Sequence, residues 1–200
     1  MAAEEGQGAR GGAGGVSLPV METKRLVLRA LRVDDAEALH PMYSDVDANT
    51  YGSRPATVSI EETRDRVTKA IADTAWRAWA ITLKGDDTAL GTAVIGTVAS
   101  YEKRQGKVTE IGYILSRPYW GRGYVTEAVA ALIDLLFSEG QRRVVADTDP
   151  DNAPSIAVVK RLGFTLEATL RAEWETHIGV RDSLIWGLLE DEWKAARPRT

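Results

Sequence analysis

Residues 109–128, "TEIGYILSRPYWGRGYVTEA", pass from a short apolar run, through a turn carrying Gly121 and Gly123, into a segment with helical periodicity. Val125, Val129, Leu132 and Leu136 recur on one face of that helix. A strand that ends in a glycine turn and continues as a helix has two uses. The first amides of a helix lack intrahelical partners and carry the positive end of its dipole, so the turn can hold an anionic group such as a phosphate. Alternatively, the glycines only supply unusual φ/ψ for a change of direction. Arg122, between them, adds a fork of donors that suits phosphate.

Working upstream, "KVTEIGYIL" is the last of three strand-like runs, after "AWRAWAITLK" and "LGTAVIGTVASYE", with "GDD" and "KRQG" as turns. Consecutive strands joined by short turns predict an antiparallel meander. Before it come a strand in "KRLVLRALR" and a helix in "DDAEALHPMYSD" capped by Asp34. A loop follows over 46–58, then a helix over 59–73 with Ser59 and Glu62 at capping-box spacing and Ile60, Val67 and Ile71 on a narrow apolar face. Downstream, "RRVVADT" reads as a strand, "NAPSIAVVKRLG" as a helix ending at Gly163, and "FTLEATL" and "VRDSLIWGLLEDEW" as two strands. The order βααβββαβαββ predicts an α/β (α+β) fold, a mixed and mostly antiparallel central sheet of about six to seven strands flanked by helices.

Composition narrows the function classes. With 200 residues, 44% hydrophobic and 27% charged, the chain reads as one soluble domain over 17–196, preceded by a Gly- and Ala-rich disordered leader over 1–16. No stretch approaches the roughly 18 apolar residues of a membrane span, so no membrane partner is expected. A net charge of −4 with interspersed signs gives no basic face for nucleic acid. There is no cysteine, which removes disulfides, thiolate nucleophiles and sulfur-ligated metals and fits a reducing, cytoplasmic setting. His40 and His177 stand in no metal-ligand spacing, so no metal is expected. A dinucleotide fingerprint fails on Thr126 in place of a third glycine. The five residues "SRPYW" also separate the strand from the turn, although Asp147 stands at a suitable distance.

Taken together, "TEIGYILSRPYWGRGYVTEA", "DTDPDNAPSIAVVKRLGF" and "DSLIWGLLEDEW" resemble the GNAT superfamily of N-acetyltransferases, and more narrowly its RimJ/RimL-like branch. The similarity runs from about Glu22 to Trp193. It implies acetyl-CoA as cosubstrate, with the diphosphate on the turn Trp120, Gly121, Arg122, Gly123, Tyr124, Val125 and Thr126. Only Gly123 obeys the family's strict pattern, and Val125 replaces its small last residue. The resemblance further implies that Tyr113, Ile114 and Leu115 offer main chain to the pantetheine arm of a splayed strand, and that Asn152 lies near the cofactor.

An amine has a pKa of about 8 at a chain terminus and about 10.4 on lysine, so it must lose a proton before it attacks a thioester. Glu110 is the candidate base: it shares a strand face with Val108, Gly112 and Ile114, and Gly112 leaves room beside it. A salt-bridged structural role for Glu110 stays open, since a carboxylate in an apolar strand needs a partner. For the leaving thiolate, the family's usual tyrosine is replaced by Val159. The Rim-like branch offers a serine instead, here Ser155, which a role in the first turn of its helix would equally explain. Trp76, Trp79, Trp174, His177, Tyr51 and Arg54 stay unassigned, and Asp182 reads only as a salt-bridge partner. The expected activity is N-acetyl transfer from acetyl-CoA to an amine acceptor, a protein N-terminus or a small molecule, by a monomer or homodimer. The alternatives are a catalytically inactive acyl-CoA-binding or sensor module of the same fold, and a nucleotide-binding oxidoreductase.

Overall fold

The computed structural model describes residues 18–85, 94–104 and 106–196. The leader over 1–16 and parts of the "GDD" and "KRQG" turns lie outside the described residues. Among the described residues, eight strands form one sheet: β1 (Met21–Glu22), β2 (Leu26–Ala30), β3 (Trp76–Leu83), β4 (Val94–Arg104), β5 (Val108–Leu115), β6 (Arg143–Thr148), β7 (Thr165–Thr176) and β8 (Gly179–Leu189). Their order is β1-β2-β3-β4-β5-β6-β8-β7. Every pairing is antiparallel except β5 with β6. Parallel neighbours need a long crossover, and helix α4 (Tyr124–Ser138) provides it.

Two cores lie on the two faces of the sheet. On one, α4 sets Val129, Leu132, Ile133 and Leu136 against Leu26, Leu28, Trp79, Ile111 and Val144, joined by Val159 of α5 (Ala153–Arg161). On the other, α1 (Ala36–Tyr43) and α3 (Ile60–Ala72) bury Leu39, Met42 and Val67 against Ala80 and Val94. At about 1.5–3 kcal/mol for each fully buried aliphatic side chain, these faces fix which way every strand residue points.

The expected class and meander hold, the sheet has eight strands against the expected six to seven, and five local expectations change. Asp34 does not cap α1. The buried Asp35 accepts from the Arg32 amide at 2.8 Å and from Arg29, and the chain enters α1 through a 3-10 turn over Val33–Asp35. The loop over 46–58 begins as α2 (Val46–Asn49), capped by Asp45, whose Oδ1 accepts from the amides of Asp47 and Ala48. On α3, Val67 and Thr63 are buried whereas Ile71 is 43% exposed. Ser59 Oγ caps the Glu62 amide as expected, while the Glu62 carboxylate accepts from Val58 rather than from Ser59. The last segment is not all strand. After Leu189 it turns into α6 (Glu190–Ala196), where Glu192 accepts from the Leu189 amide and Trp193 is buried.

Candidate active site

The glycine turn adopts a conformation that side chains other than glycine rarely take. Gly121 has φ +71° and Gly123 φ +77°, and Gly123 is the N-cap of α4 with no side chain capping the first turn. An acidic residue in that turn, Glu127, would oppose an incoming anion. Its carboxylate is instead turned onto Thr23 Oγ1 at 2.6 Å, the Arg25 amide at 2.8 Å and Arg25 Nε at 2.6 Å. Burial pushes the Glu127 carboxyl up, and these hydrogen bonds outweigh it, so the group sits below its ordinary value. Arg25 also donates to the Arg122 carbonyl at 2.9 Å and lies 4.4 Å over the Tyr124 ring. One guanidinium therefore neutralises Glu127 and holds the middle of the turn.

The neighbouring contacts complete this end. Trp120, 44% exposed, donates Nε1 to the Leu115 carbonyl at 2.7 Å, and Val125 packs half-buried against the α4 core, which accounts for its size. Arg117 binds Asp45 and Asp47 and so ties the start of α2 to the turn; its hydrogen bond holds the Asp45 carboxyl below the usual range.

From this turn the chain leads back along β5, where the sheet opens. The β5–β6 ladder covers only Val108–Ile111 against Arg143–Ala146; beyond it, β6 goes on pairing with β8 up to Thr148. Gly112–Leu115 thus have no partner on β6, and every second residue there points its N–H and C=O into the opening. The Tyr113 hydroxyl bridges the opening, donating to the Ser155 carbonyl at 3.3 Å, and burial pushes this phenol up to about 12. Asn152 Oδ1 caps α5 by accepting from the Ser155 amide at 3.2 Å. Val159, where the resemblance leads one to expect a tyrosine, is fully buried.

Strand register places Glu110. On the α1–α3 face, β3, β4 and β5 align three rows of side chains: Ala80, Thr97 and Ile114; Ala78, Ala99 and Gly112; Trp76, Tyr101 and Glu110. The first row lies under α1 and α3, with Ala80 and Ile114 in that core. Trp76 stacks on Tyr101 with centroids 4.6 Å apart. Lys103 stands at a β-bulge in β4 and donates to Glu110 Oε2 at 2.5 Å; the Glu110 side chain is only 15% exposed. Glu110 faces the α1–α3 side, whereas Tyr113 and its partner Ser155 belong to the α4–α5 side. The two candidate proton carriers therefore stand on opposite faces of the opening.

Of the remaining residues, Trp79 is buried with Nε1 donating to the Pro19 carbonyl, and Trp174 donates to Asp147 at 3.1 Å. His177 is exposed in the β7–β8 turn. Asp182 departs from its salt-bridge reading by accepting from the Ala172 amide, at a bulge where Ala172 has φ +52°. Sequence reasoning missed Arg25, Lys103, the Asp45–Arg117 link and the Tyr113 hydroxyl. The available signals were two basic residues at strand ends and an aromatic within the splayed strand.

The chain matches the acetyltransferase (GNAT) domain family over residues 25–165. It is 30% identical over 181 residues to the uncharacterized N-acetyltransferase p20 of Bacillus licheniformis, covering 88% of this chain and 99% of that one. Among solved structures, RimL, a ribosomal alpha-N-protein acetyltransferase, shares the fold with a TM-score of 0.74 at 23% identity, over 86% of this chain and 94% of that one. The microcin self-immunity acetyltransferase MccE, solved in complex with acetyl-CoA and AMP, does so with a TM-score of 0.72 at 24% identity, over 84% and 93%. No helix among the described residues is long and apolar enough to cross a membrane.

Proposed function

Because this chain belongs to the GNAT acetyltransferase family, we propose that it transfers the acetyl group of acetyl-CoA to a primary amine, on a protein N-terminus or a small molecule, by direct attack. The observation that carries this reading is the opening of β5 from β6 at Gly112, two residues after Glu110 and at the near end of a strand that leads into the glycine turn. The uncapped amides of Gly121–Thr126 and the Arg122 guanidinium fit a diphosphate, with Trp120 beside them. The main-chain groups of Tyr113–Leu115 that β4 leaves free and β6 does not reach, apart from the Leu115 carbonyl held by Trp120, fit an extended amide-containing arm, and Asn152 borders its end. Five residues of strand, about 17 Å, separate Leu115 from Glu110, a span of the order of an extended pantetheine arm.

In the proposed step the amine nitrogen bonds to the thioester carbon and the C–S bond breaks, its electron pair leaving on the thiolate. The amine proton passes to Glu110, directly or through water. The thiolate takes a proton from Ser155 or from water. No covalent acyl-enzyme is invoked, since the chain has no cysteine and no GxSxG elbow. A cytoplasmic setting fits this chemistry.

A second reading, an acyl-CoA-binding or sensor module without turnover, draws on Lys103, whose ion pair occupies the proposed base. The deciding experiment follows free thiol release from acetyl-CoA across an amine panel, alongside calorimetric CoA binding. Thiol release that depends on the amine supports transfer. Binding without release sinks it in favour of the module, and selective NAD binding would overturn both.

A further inference from the structure

The middle row on the α1–α3 face, Ala78, Ala99 and Gly112, lies at the centre of an eight-stranded sheet, yet all three residues are only half-buried. A Cβ built on Gly112 meets nothing within 4 Å. Helices cover the row on one side, where Ala78 packs against the α1–α3 core. On the other stands the Trp76–Tyr101 stack, with Trp76 36% exposed, and then Glu110 with Lys103. The two flanking rows are four residues apart along the strands, about 13 Å, which leaves room for one flat ring between their side chains. The floor ends at Gly112, where β5 parts from β6.

We propose that this floor is the acceptor slot of the transferase, and that its acceptor is a small primary amine carried on a flat or unbranched apolar group, such as an arylalkylamine; this rests on the acetyl-transfer reading above. The floor offers the Ala99 methyl, the part of Ala78 that the α1–α3 core leaves uncovered, and a glycine; its backbone groups on β3 and β4 are used in the ladders, so a polar scaffold finds no partner there. A peptide terminus would bring unpaired amides onto it. The exposed aromatic stack gives an apolar group a surface to lie on. Lys103 beside Glu110 places one positive charge at the end of the slot, which disfavours acceptors with several cations and tolerates the single amine that Glu110 deprotonates.

The test compares thiol release with phenethylamine, spermidine and a serine-initiated peptide, in the native sequence and in Ala99→Leu and Trp76→Ala. Phenethylamine is expected to exceed the other two in kcat/KM by about tenfold. Ala99→Leu, which fills the floor, raises the phenethylamine KM by about tenfold or more while CoA affinity by calorimetry is unchanged, and Trp76→Ala raises it about fivefold. An unaltered amine KM in an Ala99→Leu protein that binds CoA overturns the slot, as does a preference for spermidine or the peptide. Should Ala99→Leu fail to bind CoA, the exposed Trp76→Ala variant decides by the same criterion. If the native protein binds CoA but releases no thiol with any amine, the transfer reading fails. The slot then stands or falls on calorimetric binding of phenethylamine and its loss on filling the floor.

Discussion

Where β5 leaves the sheet it enters a turn whose every constraint is already satisfied: two glycines with positive φ, a carbonyl held by Arg25, and an acid turned aside and neutralised. Three residues before Tyr113 the same strand carries Glu110 beside a row of small residues, with open space over Gly112. The first region works with main chain and is held by contacts within the protein. The second works with side chains drawn from three strands and leaves room to be filled. A shared cosubstrate favours the first kind of construction, because a diphosphate needs fixed amides. A variable acceptor favours the second, because its shape is set by a few exchangeable side chains.

The largest expected effect separates the two regions outright. Glu110→Gln keeps the shape and removes the proposed base, so turnover at neutral pH should fall about 100-fold while CoA affinity stays within about twofold. Steady-state thiol release and calorimetry check it. Unchanged turnover would take Glu110 out of the chemistry and leave it as the partner of Lys103.

A change at the other end should show the opposite signature. Arg25→Gln frees the Arg122 carbonyl and leaves Glu127 unneutralised beside the proposed diphosphate site. The ratio of kcat/KM for acetyl-CoA to that for S-acetylpantetheine, which lacks the diphosphate, should drop about tenfold. Arg25→Lys, which restores the charge without the fork, should recover part of the loss. Equal losses with both thioesters would reduce Arg25 to a purely structural residue.

The same contrast explains what could be read from the amino-acid sequence. The glycine turn is a run of consecutive residues whose conformational needs are local, so "GRG" before a periodic helix announces it. Glu110 stands out as an acid in an apolar strand, next to a glycine. Arg25 lies 97 residues from the carbonyl it holds, and no local pattern links them. Trp76, Tyr101 and Glu110 meet only through the register of three strands, and the Lys103 contact depends on a bulge that period-two reasoning does not anticipate. Helices α2 and α6 escaped because four and seven residues are too short for helical periodicity to stand out. Both are defined by single carboxylates, Asp45 and Glu192, that bind backbone amides.

Ser155 gives a smaller effect at the boundary between the regions. A thiol with a pKa of about 8.5 leaves as a thiolate without much help, so Ser155→Ala should lower kcat by about threefold or less at neutral pH. A loss near that of Glu110→Gln would make the α5 side a full partner in the chemistry. The Tyr113 bond to the Ser155 carbonyl should survive, because it involves main chain.

The smallest effect tests whether the turn is organised in the absence of ligand. Glu127 has its folded value depressed: burial raises it, but Thr23, the Arg25 amide and the Arg25 guanidinium lower it further. A carboxyl depressed in the folded state contributes stability above its unfolded value, about 4.3, and loses that contribution as pH falls through the folded value. Arg25 is 40% exposed and Glu127 18%, so solvent screens much of the pair. Glu127→Gln should therefore lower Tm by about 2 °C at pH 7, and the gap should close as pH falls below about 4. The measurement needs no ligand, only melting curves of both proteins across that range. A gap that persists into strong acid would mean that the side chain acts through packing rather than charge, and no gap at pH 7 would mean that the turn acquires its order from the diphosphate rather than presenting it in advance.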